Sequence, residues 1–460
     1  MKDVNHQAPQ RRAIHMTSIY HTNDMIDKLW KEFSVIFSDA AKPTAKHLFE
    51  MIVSVLGLNG FQSVKYNFEH FIDEISEYEL KSFYYTLNES KIDLQDWMKR
   101  LTEAAVSVCP ADTQQPVIVA VDDTLIEKFG EKFEHRSKLF DHAAHNGSNY
   151  LNGHCFVILL LSLPVKDSLG CRYLSFPAAY RMWTKEQTKL EMAAGLIRSV
   201  MTCLGTERHV ILCCDSWYPK GCVKDLVDEY ANLTMICNVR SDTAIYALPP
   251  ERTGKKGRPR VRGQQLSIED FTLAEIPGTN FCAGFQPVKT KLFGSRTVYA
   301  IVTKLKDRKS YRLFLCTKNP QDFCFDVAFS DERAASFAKA DSSLIPLTIY
   351  ALRWNIEVAY YEQKTFWALG DYRLRSQTGM ERLVNLLTLC YSAMKILPFL
   401  SDTFLFLKGL SPQQARFALG QKINREIFFS SFIACLETTE NSPILINSLK
   451  LQFWGMAHAA

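Results

Sequence analysis

Two aspartates follow predicted buried strands at positions where a carboxylate could do chemistry. Asp122 comes directly after the apolar run at residues 117–121, and Asp215 follows a second apolar run at 209–214. An acid at the carboxyl end of a strand in an α/β sheet lies at the edge where ligands bind. For either aspartate alone, a turn or helix-cap role is the more common explanation.

A later segment adds a third carboxylate among polar neighbours. Residues from about Pro346 to about Gly370 predict one long helix. On a continuous helix with Arg353 at zero, Lys364 falls near 20°, Glu357 near 40° and Tyr350 near 60°. This narrow polar stripe on an otherwise apolar helix indicates a polar partner, although Arg353 and Glu357 alone could form a plain surface ion pair. Trp354 is expected to pack in the core, with base stacking as the alternative.

The elements that must position these residues follow an α/β order. Residues from 116 onward predict three strands, a helix, a strand, a helix and a strand, ending near Val239. The first of these helices is expected to begin with a capping box formed by Thr184 and Gln187. Residues 109–239 and 341–400 are therefore assigned to an α/β catalytic core, a mixed sheet flanked by helices. Residues 1–108 predict a helical N-terminal domain that could bind DNA ends, and 401–460 a helical C-terminal region.

A basic, β-rich segment at residues 240–340 interrupts the core and is predicted to be an inserted subdomain. From 251 to 312 the chain has 14 Lys+Arg and 5 Asp+Glu, whereas the whole chain has a net charge of only +5. Such a block is the footprint of a phosphate-facing surface, although a solvated face is the common explanation for a charge run. A Gly- and Pro-rich loop within it resembles the core of an AT-hook. The candidate DNA contacts there are Lys255, Lys256, Arg258, Arg260 and Arg262.

The pattern Tyr350-x-x-Arg353-x-x-x-Glu357, followed seven residues later by Lys364, matches the Tyr-Arg-Glu-Lys signature of bacterial insertion-sequence transposases of the DDE type. The segments at Asp122 and Asp215 resemble the two aspartate segments of that family. The resemblance covers roughly residues 116–400. It implies a ribonuclease-H-like core with a β-rich insertion between the second aspartate and the glutamate.

The resemblance implies that Asp122, Asp215 and Glu357 bind two Mg²⁺ ions, with Mn²⁺ as an expected substitute. Neighbouring strand residues point to opposite faces, so only one of Asp122 and Asp123 can be a ligand. Asp122 ends the apolar run and fits the Asp-x-Thr spacing, and Asp123 remains the alternative. Tyr350, Arg353 and Lys364 would contact the DNA backbone.

The implied function is Mg²⁺-dependent cleavage and strand transfer at the ends of an insertion sequence. The implied partner is double-stranded DNA, both terminal inverted repeats and target, bound by a homodimer on paired ends. A domesticated relative that binds or cuts DNA without transposing is the main alternative. A carboxylate-pair hydrolase acting on a small or sugar substrate is a third hypothesis, but it leaves the basic block unexplained.

Composition sets further limits on the class of protein. Apolar residues make up 47% and charged residues 22% of the 460 residues, which is typical of a globular protein. No uninterrupted apolar run is long enough for a membrane span, and the N-terminus does not resemble a secretory signal. The 13 cysteines lie in apolar runs without a C-x-x-C motif, so reduced thiols are expected rather than disulfides or a zinc site. Together with the resemblance, these features predict a bacterial cytoplasmic protein associated with the nucleoid.

Overall fold

A computed structural model describes residues 25–110, 114–141, 149–167, 170–251, 260–323, 325 and 341–437. Helices precede the sheet: α1 Met25–Ile36, α2 Lys42–Gly57, α3 Val64–Asn67, a π-helical turn at Phe68–Ile72, α4 Asp73–Ile75, α5 Leu80–Asn88 and α6 Leu94–Val106. Their apolar faces pack together with the sheet in one large core.

The central sheet is built from strands that alternate with helices. Its elements are β1 Val117–Glu127, β2 Ser137–Phe140, β3 Tyr150–Asp167, β4 Gly170–Met182, α7 Lys189–Leu204, β5 Val210–Cys214, α8 Gly221–Glu229 and β6 Leu233–Val239. Strand β5 pairs in parallel with β1 on one side and with β6 on the other, whereas β3 pairs antiparallel with both β1 and β4. The predicted strands and helices are present in the predicted order, but the short strand β2 is an additional strand before β3. The mixed sheet with flanking helices is consistent with a ribonuclease-H-like endonuclease fold.

The segment after β6 continues this sheet. It contains β7 Ile245–Tyr246, β8 Gln265–Leu266, β9 Ala274–Glu275, β10 Phe281–Thr290, β11 Val298–Leu305 and β12 Tyr311–Cys316, with 3₁₀ turns at Ile268–Asp270 and Pro320–Asp322. Strand β12 pairs antiparallel with β6, from Leu313 opposite Val239 to Cys316 opposite Ile236. The basic segment is thus β-rich in its described residues, and its strands share a hydrogen-bonded ladder with the core. Its boundaries as a separate subdomain stay a prediction.

The C-terminal part is helical in its described residues. It comprises a 3₁₀ turn at Ser342–Leu344, α9 Ile345–Ala351, a 3₁₀ turn at Leu352–Trp354, α10 Asn355–Phe366, α11 Gln377–Leu400, a 3₁₀ helix at Asp402–Leu407 and α12 Pro412–Glu437. Within the described ranges, α11 alone is long and apolar enough to cross a membrane, and 83% of its most apolar window is buried inside the protein. A buried core helix passes the same test, so α11 is weak evidence for a membrane span.

Three element boundaries differ from the sequence predictions. Strand β1 continues through Asp122 to Glu127, because residues 118–127 pair with β3. Helix α7 begins at Lys189, capped by Thr188 and Glu191 rather than by Thr184 and Gln187. The backbone at Lys185 has φ of 74°, which a right-handed helix cannot include. The predicted long helix is divided into α9 and α10 by the 3₁₀ turn at Leu352–Trp354.

The two faces of β1 pack against different elements. Ile118 lies in a small apolar cluster with Ile345 and Ile349 of α9. Val117, Val119 and Val121 lie in the large core, which also contains the buried residues of α7 and α8. Because side chains alternate along a strand, Asp122 faces the α9–α10 side and Asp123 faces the α7–α8 side.

Candidate active site

Asp122 and Asp215 lie where two parallel strands separate. Pairing between β1 and β5 ends at Val121 opposite Cys214. Asp122 is the next residue of β1, and Asp215 is the first residue after β5. Neighbouring strands lie about 4.8 Å apart, so this register places the two carboxylates close together at the carboxyl edge of β5. Asp215 also accepts a hydrogen bond from the amide of Trp217 at 3.0 Å, which fixes the start of the following loop.

Arg353 joins two of the predicted carboxylates. Its guanidinium donates to Glu357 Oε1 at 2.6 Å and to Asp122 Oδ2 at 3.4 Å. The Arg353 side chain is only 13% exposed, and its buried Nε has no hydrogen-bond partner among the described residues. The structure therefore brings Glu357 to the side of Asp122 across 231 residues of sequence separation.

The 3₁₀ turn determines where the four signature residues point. The amide of Asn355 reaches back to the Leu352 carbonyl, which tightens the chain between α9 and α10. The side chains of Tyr350, Arg353, Glu357 and Lys364 therefore do not share the one continuous helix from which their common stripe was predicted. The half-buried Tyr350 packs edge-on against Phe314 of β12 at 5.0 Å between ring centroids, with the Arg353 guanidinium 5.7 Å from its ring. Trp354 is 60% exposed, so the prediction that it packs in the core was wrong.

Lys364 and Gln363 fix helix α10 against the sheet. The Lys364 ammonium donates to the Leu125 carbonyl on β1 at 2.9 Å. The buried Gln363 donates to the Tyr180 hydroxyl on β4 at 2.9 Å and accepts from Thr388 of α11 at 3.0 Å. These contacts hold the helix that carries Glu357 in register with β1.

Asp123 points away from Arg353 and has its own partners. Its carboxylate accepts from Lys189 Nζ at 2.6 Å, from the Tyr218 hydroxyl at 3.1 Å and from the Cys155 thiol at 3.3 Å. Burial acts to lower the pKa of Lys189, but the adjacent Cys155 and Asp123 side chains together outweigh burial, and the pKa is raised. Asp123 is thus neutralised within the protein on the face opposite Asp122.

The Asp122 carboxyl is in a setting that disfavours its charge. Burial and then the nearby Asp215 carboxylate raise the pKa of Asp122 to about 7, although the Asp123 amide and Arg353 oppose the shift. A cation that binds both aspartates would remove this repulsion. Perturbed carboxyl groups of this kind cluster at functional sites, which supports Asp122 over Asp123 as the reactive carboxylate.

The donor chemistry fits a hard divalent cation. Carboxylate oxygens are the ligands that Mg²⁺ prefers, and Asp122, Asp215 and Glu357 provide them from three elements. The carboxylates have the right chemistry for such a cation, but they are not gathered around one point. Across the described ranges, no three His, Cys, Asp or Glu side chains are gathered closely enough to hold a metal ion. Instead, Arg353 provides the positive charge between Asp122 and Glu357.

The predicted basic DNA contacts are only partly described. Lys255, Lys256 and Arg258 lie outside the described residues. Arg260 is exposed, and the Arg262 guanidinium lies 5.4 Å from the Tyr246 ring centroid. Contact of these residues with DNA stays a prediction.

Sequence reasoning missed the residues that surround Asp123. Lys189 begins α7, and Tyr218 lies in the loop after Asp215. The sequence Asp-Ser-Trp-Tyr-Pro-Lys at 215–220 held a signal, because aromatic and basic residues directly follow the acid. The second signal was that Asp122 and Asp123 point to opposite faces of the strand. The carboxylate that does not face the proposed metal site needs a partner of its own.

Comparison with known proteins gives one family match, over part of the chain. Residues 74–279 match the family model of the DDE superfamily endonucleases, a match that covers β1, β5, Asp122 and Asp215 but ends before Glu357. Members of that superfamily use divalent metals. No curated protein matches the chain. Residues 74–279 are thus similar to a DDE superfamily endonuclease, and the match supports a DDE-type transposase family.

Proposed function

We propose that this protein is an insertion-sequence transposase, which cuts DNA at the ends of its element and transfers the free strands. The single observation that carries the proposal is the Arg353 guanidinium placed between Asp122 and Glu357. An acidic strand residue and the Arg–Glu pair of the signature come together at the open edge of one sheet. The matched endonuclease family supports nuclease chemistry at this edge.

Asp122, Asp215 and Glu357 are the residues proposed to hold two Mg²⁺ ions, with Mn²⁺ able to replace them. Bound there, the ions would activate the attacking oxygen and stabilise the leaving oxygen at phosphorus. The first reaction is hydrolysis: water attacks the phosphorus in line, and the bond to the 3′ oxygen breaks. The products are a 3′-OH at the element end and a 5′-phosphate on the flanking strand. In strand transfer, that 3′-OH is the nucleophile.

The side chains around the carboxylates are proposed to orient the DNA. Arg353 lies next to two carboxylates and could bind a phosphate as a fork of donors once it leaves them. Lys364 and Tyr350 are proposed to contact the same backbone, and Lys255, Lys256, Arg258, Arg260 and Arg262 to bind phosphates farther away. The proposed partners are terminal inverted repeats and target DNA, held by a homodimer in the bacterial cytoplasm.

A specific observation favours a second function, that of a domesticated DNA-binding protein that no longer transposes. The three carboxylates are not gathered into a metal-ligand cluster among the described residues. If they stay apart when DNA and metal are present, the protein would bind DNA without cutting it.

The test is cleavage of a plasmid that carries the gene with its native flanking DNA. Glu357→Gln keeps the shape of the side chain but removes a charge that would hold metal. We expect wild-type protein with Mg²⁺ to cut at fixed positions, and the variant to cut about a thousandfold more slowly while still binding DNA. Cleavage that persists in EDTA would contradict the metal mechanism.

Glu229→Gln is the matched control, because Glu229 forms an ion pair with an arginine, Arg198, as Glu357 does with Arg353. Glu229 ends α8 just before β6 begins, at the end of the sheet opposite Asp215, and should not affect cleavage. Equal cleavage by wild-type protein and Glu357→Gln would reduce Glu357 to a structural residue. Binding without cleavage by the wild-type protein would favour the domesticated function.

A further inference from the structure

A surface of tryptophans and lysines lies beside the candidate active site. It is formed by Trp183, Lys185 and Lys189 from the β4–α7 connection and the start of α7, and by Trp217 and Lys220 from the β5–α8 loop. We call these five residues the tryptophan–lysine surface. Strands β1, β4 and β5 run in the same direction, so both connections emerge at the edge that carries Asp122 and Asp215.

The ammonium group of Lys189 brings the two loops together. Its Nζ lies 5.3 Å from the Trp183 ring centroid and 5.7 Å from the Trp217 centroid. Asp123 holds this ammonium at 2.6 Å, so the lysine cannot move freely. Asp123 therefore acts as a positioning residue for the tryptophan–lysine surface.

The other two lysines are available to a ligand. Lys220 lies 4.7 Å from the Trp217 ring centroid and Lys185 lies 5.9 Å from that of Trp183. Both lysines are exposed, and neither forms a salt bridge within the described part of the chain. The Trp217 side chain is 41% exposed, so part of its ring is open to a ligand.

The tryptophan–lysine surface also connects directly to the candidate active site. The amide of Trp217 donates to Asp215 Oδ1, and Asp215 lies at the strand end beside Asp122. A DNA strand whose phosphate reaches the carboxylates would therefore have its next nucleotides near Trp217.

We propose that the tryptophan–lysine surface binds unpaired nucleotides of a DNA strand that leaves the carboxylate site. A base would stack on the exposed part of the Trp217 ring, and Lys185 and Lys220 would bind the flanking phosphates. Aromatic rings beside free cations are how proteins bind single strands, because every base has a face that can stack. Bases within an intact duplex have no free face, so the proposal predicts a preference for unpaired DNA. It rests on the proposed function only in placing DNA at this edge.

The test measures binding in EDTA, where no cleavage occurs. A labelled duplex with a short single-stranded dT overhang is compared with the same duplex made blunt, by fluorescence anisotropy with the full-length protein. We expect the wild-type protein to bind the overhang duplex about tenfold more tightly, since stacking one base contributes about 1–3 kcal/mol. Trp217→Ala should remove most of this preference, and Trp217→Phe should restore part of it.

Phe417→Ala is the matched control, because Phe417 is an aromatic residue 51% exposed on α12. It should leave the preference unchanged. Equal binding of both duplexes by wild-type protein would overturn the proposal, as would a preference that survives Trp217→Ala. Thermal unfolding of each variant shows whether it folds, and the more conservative Trp217→Phe decides the outcome if Trp217→Ala does not.

The two proposals fail in different ways. If the nuclease function is wrong, plasmid cleavage is absent or independent of Glu357, yet an overhang preference in EDTA can still be present. If the tryptophan–lysine surface has another role, cleavage stays sensitive to Glu357 while the overhang preference is absent. A loss of affinity for both duplexes on Lys220→Ala, with no overhang preference in the wild-type protein, would assign the surface to duplex phosphates instead.

Discussion

Asp122 and Asp123 are neighbours on one strand, but their surroundings differ. Asp122 faces Asp215 and shares the Arg353 guanidinium with Glu357, and its pKa is raised to about 7. Asp123 faces α7, where an ammonium, a hydroxyl and a thiol all donate to it. The difference arises because successive side chains on a strand point to opposite faces of the sheet. Asp122 is left with too little positive charge around it, whereas the hydrogen-bond donors of the protein itself satisfy Asp123.

The comparison predicts very different losses of cleavage for the two isosteric variants. Asp122→Asn should slow Mg²⁺-dependent plasmid cleavage about a thousandfold, because it removes a proposed metal ligand. Asp123→Asn should slow cleavage by about tenfold or less, since Asp123 would act only through the side chains that contact it, such as Lys189. Rates of plasmid nicking measure both. The reverse order of rates would make Asp123 the ligand.

For the stability of the metal-free protein, in contrast to cleavage, Asp123 is the more important of the two aspartates. Asp123→Ala leaves Lys189, with a side chain 20% exposed, without its carboxylate partner. We expect it to lower the free energy of unfolding by about 2–3 kcal/mol. Asp225→Ala, which removes an exposed partner of Lys224, should cost less than about 1 kcal/mol. Urea unfolding measures both, and equal costs would show that the Asp123 pair adds nothing beyond a surface ion pair.

The smallest expected effect is a pH dependence at Asp122 in the presence of chelator. Its pKa is about 7 in the folded protein and about 4 in the unfolded chain. Between these values the folded protein holds the extra proton, so Asp122 makes stability fall as pH rises from about 4 to about 7. Asp122→Asn abolishes this loss. The free energy of unfolding of the variant, relative to that of the wild type, should therefore be about 2 kcal/mol higher at pH 8 than at pH 4, after allowing for the partial exposure of Asp122. Denaturant unfolding at both pH values would show it, and a gain independent of pH would contradict the raised pKa.

Continuous apolar runs allowed good predictions of the buried strands. The predicted end of β5 before Asp215 and the position of β6 agree with the structure, because β5 is wholly apolar and β6 is largely apolar and almost entirely buried. The second half of β1 was missed since residues 123–127, Asp-Thr-Leu-Ile-Glu, show neither a continuous apolar run nor an alternation of polar and apolar side chains. Only their pairing with β3, from Asp123 opposite Val157 to Glu127 opposite Gly153, shows that they form a strand, and such distant pairing leaves no trace in a local pattern.

The candidate site was predictable in residue type more than in geometry. The spacing of Arg353 and Glu357 indicated their ion pair, which the structure contains. The 3₁₀ turn between α9 and α10 was not visible, because Leu352, Arg353 and Trp354 all favour an ordinary helix. Its cause is tertiary, since Tyr350 packs on Phe314 of β12 while Arg353 turns toward β1.

The distance along the chain between Asp122 and Arg353 also bears on how the protein is made. The two residues are 231 positions apart, so the contact closes a long loop. Ribosomes add about 5–20 residues per second, so about 10–50 s of synthesis separate the two residues. A nascent chain can complete the strands around Asp122 and Asp215 in that time, but its carboxylates lack their third partner. Unfinished copies of the protein that end before Glu357 therefore lack the third carboxylate of the proposed site.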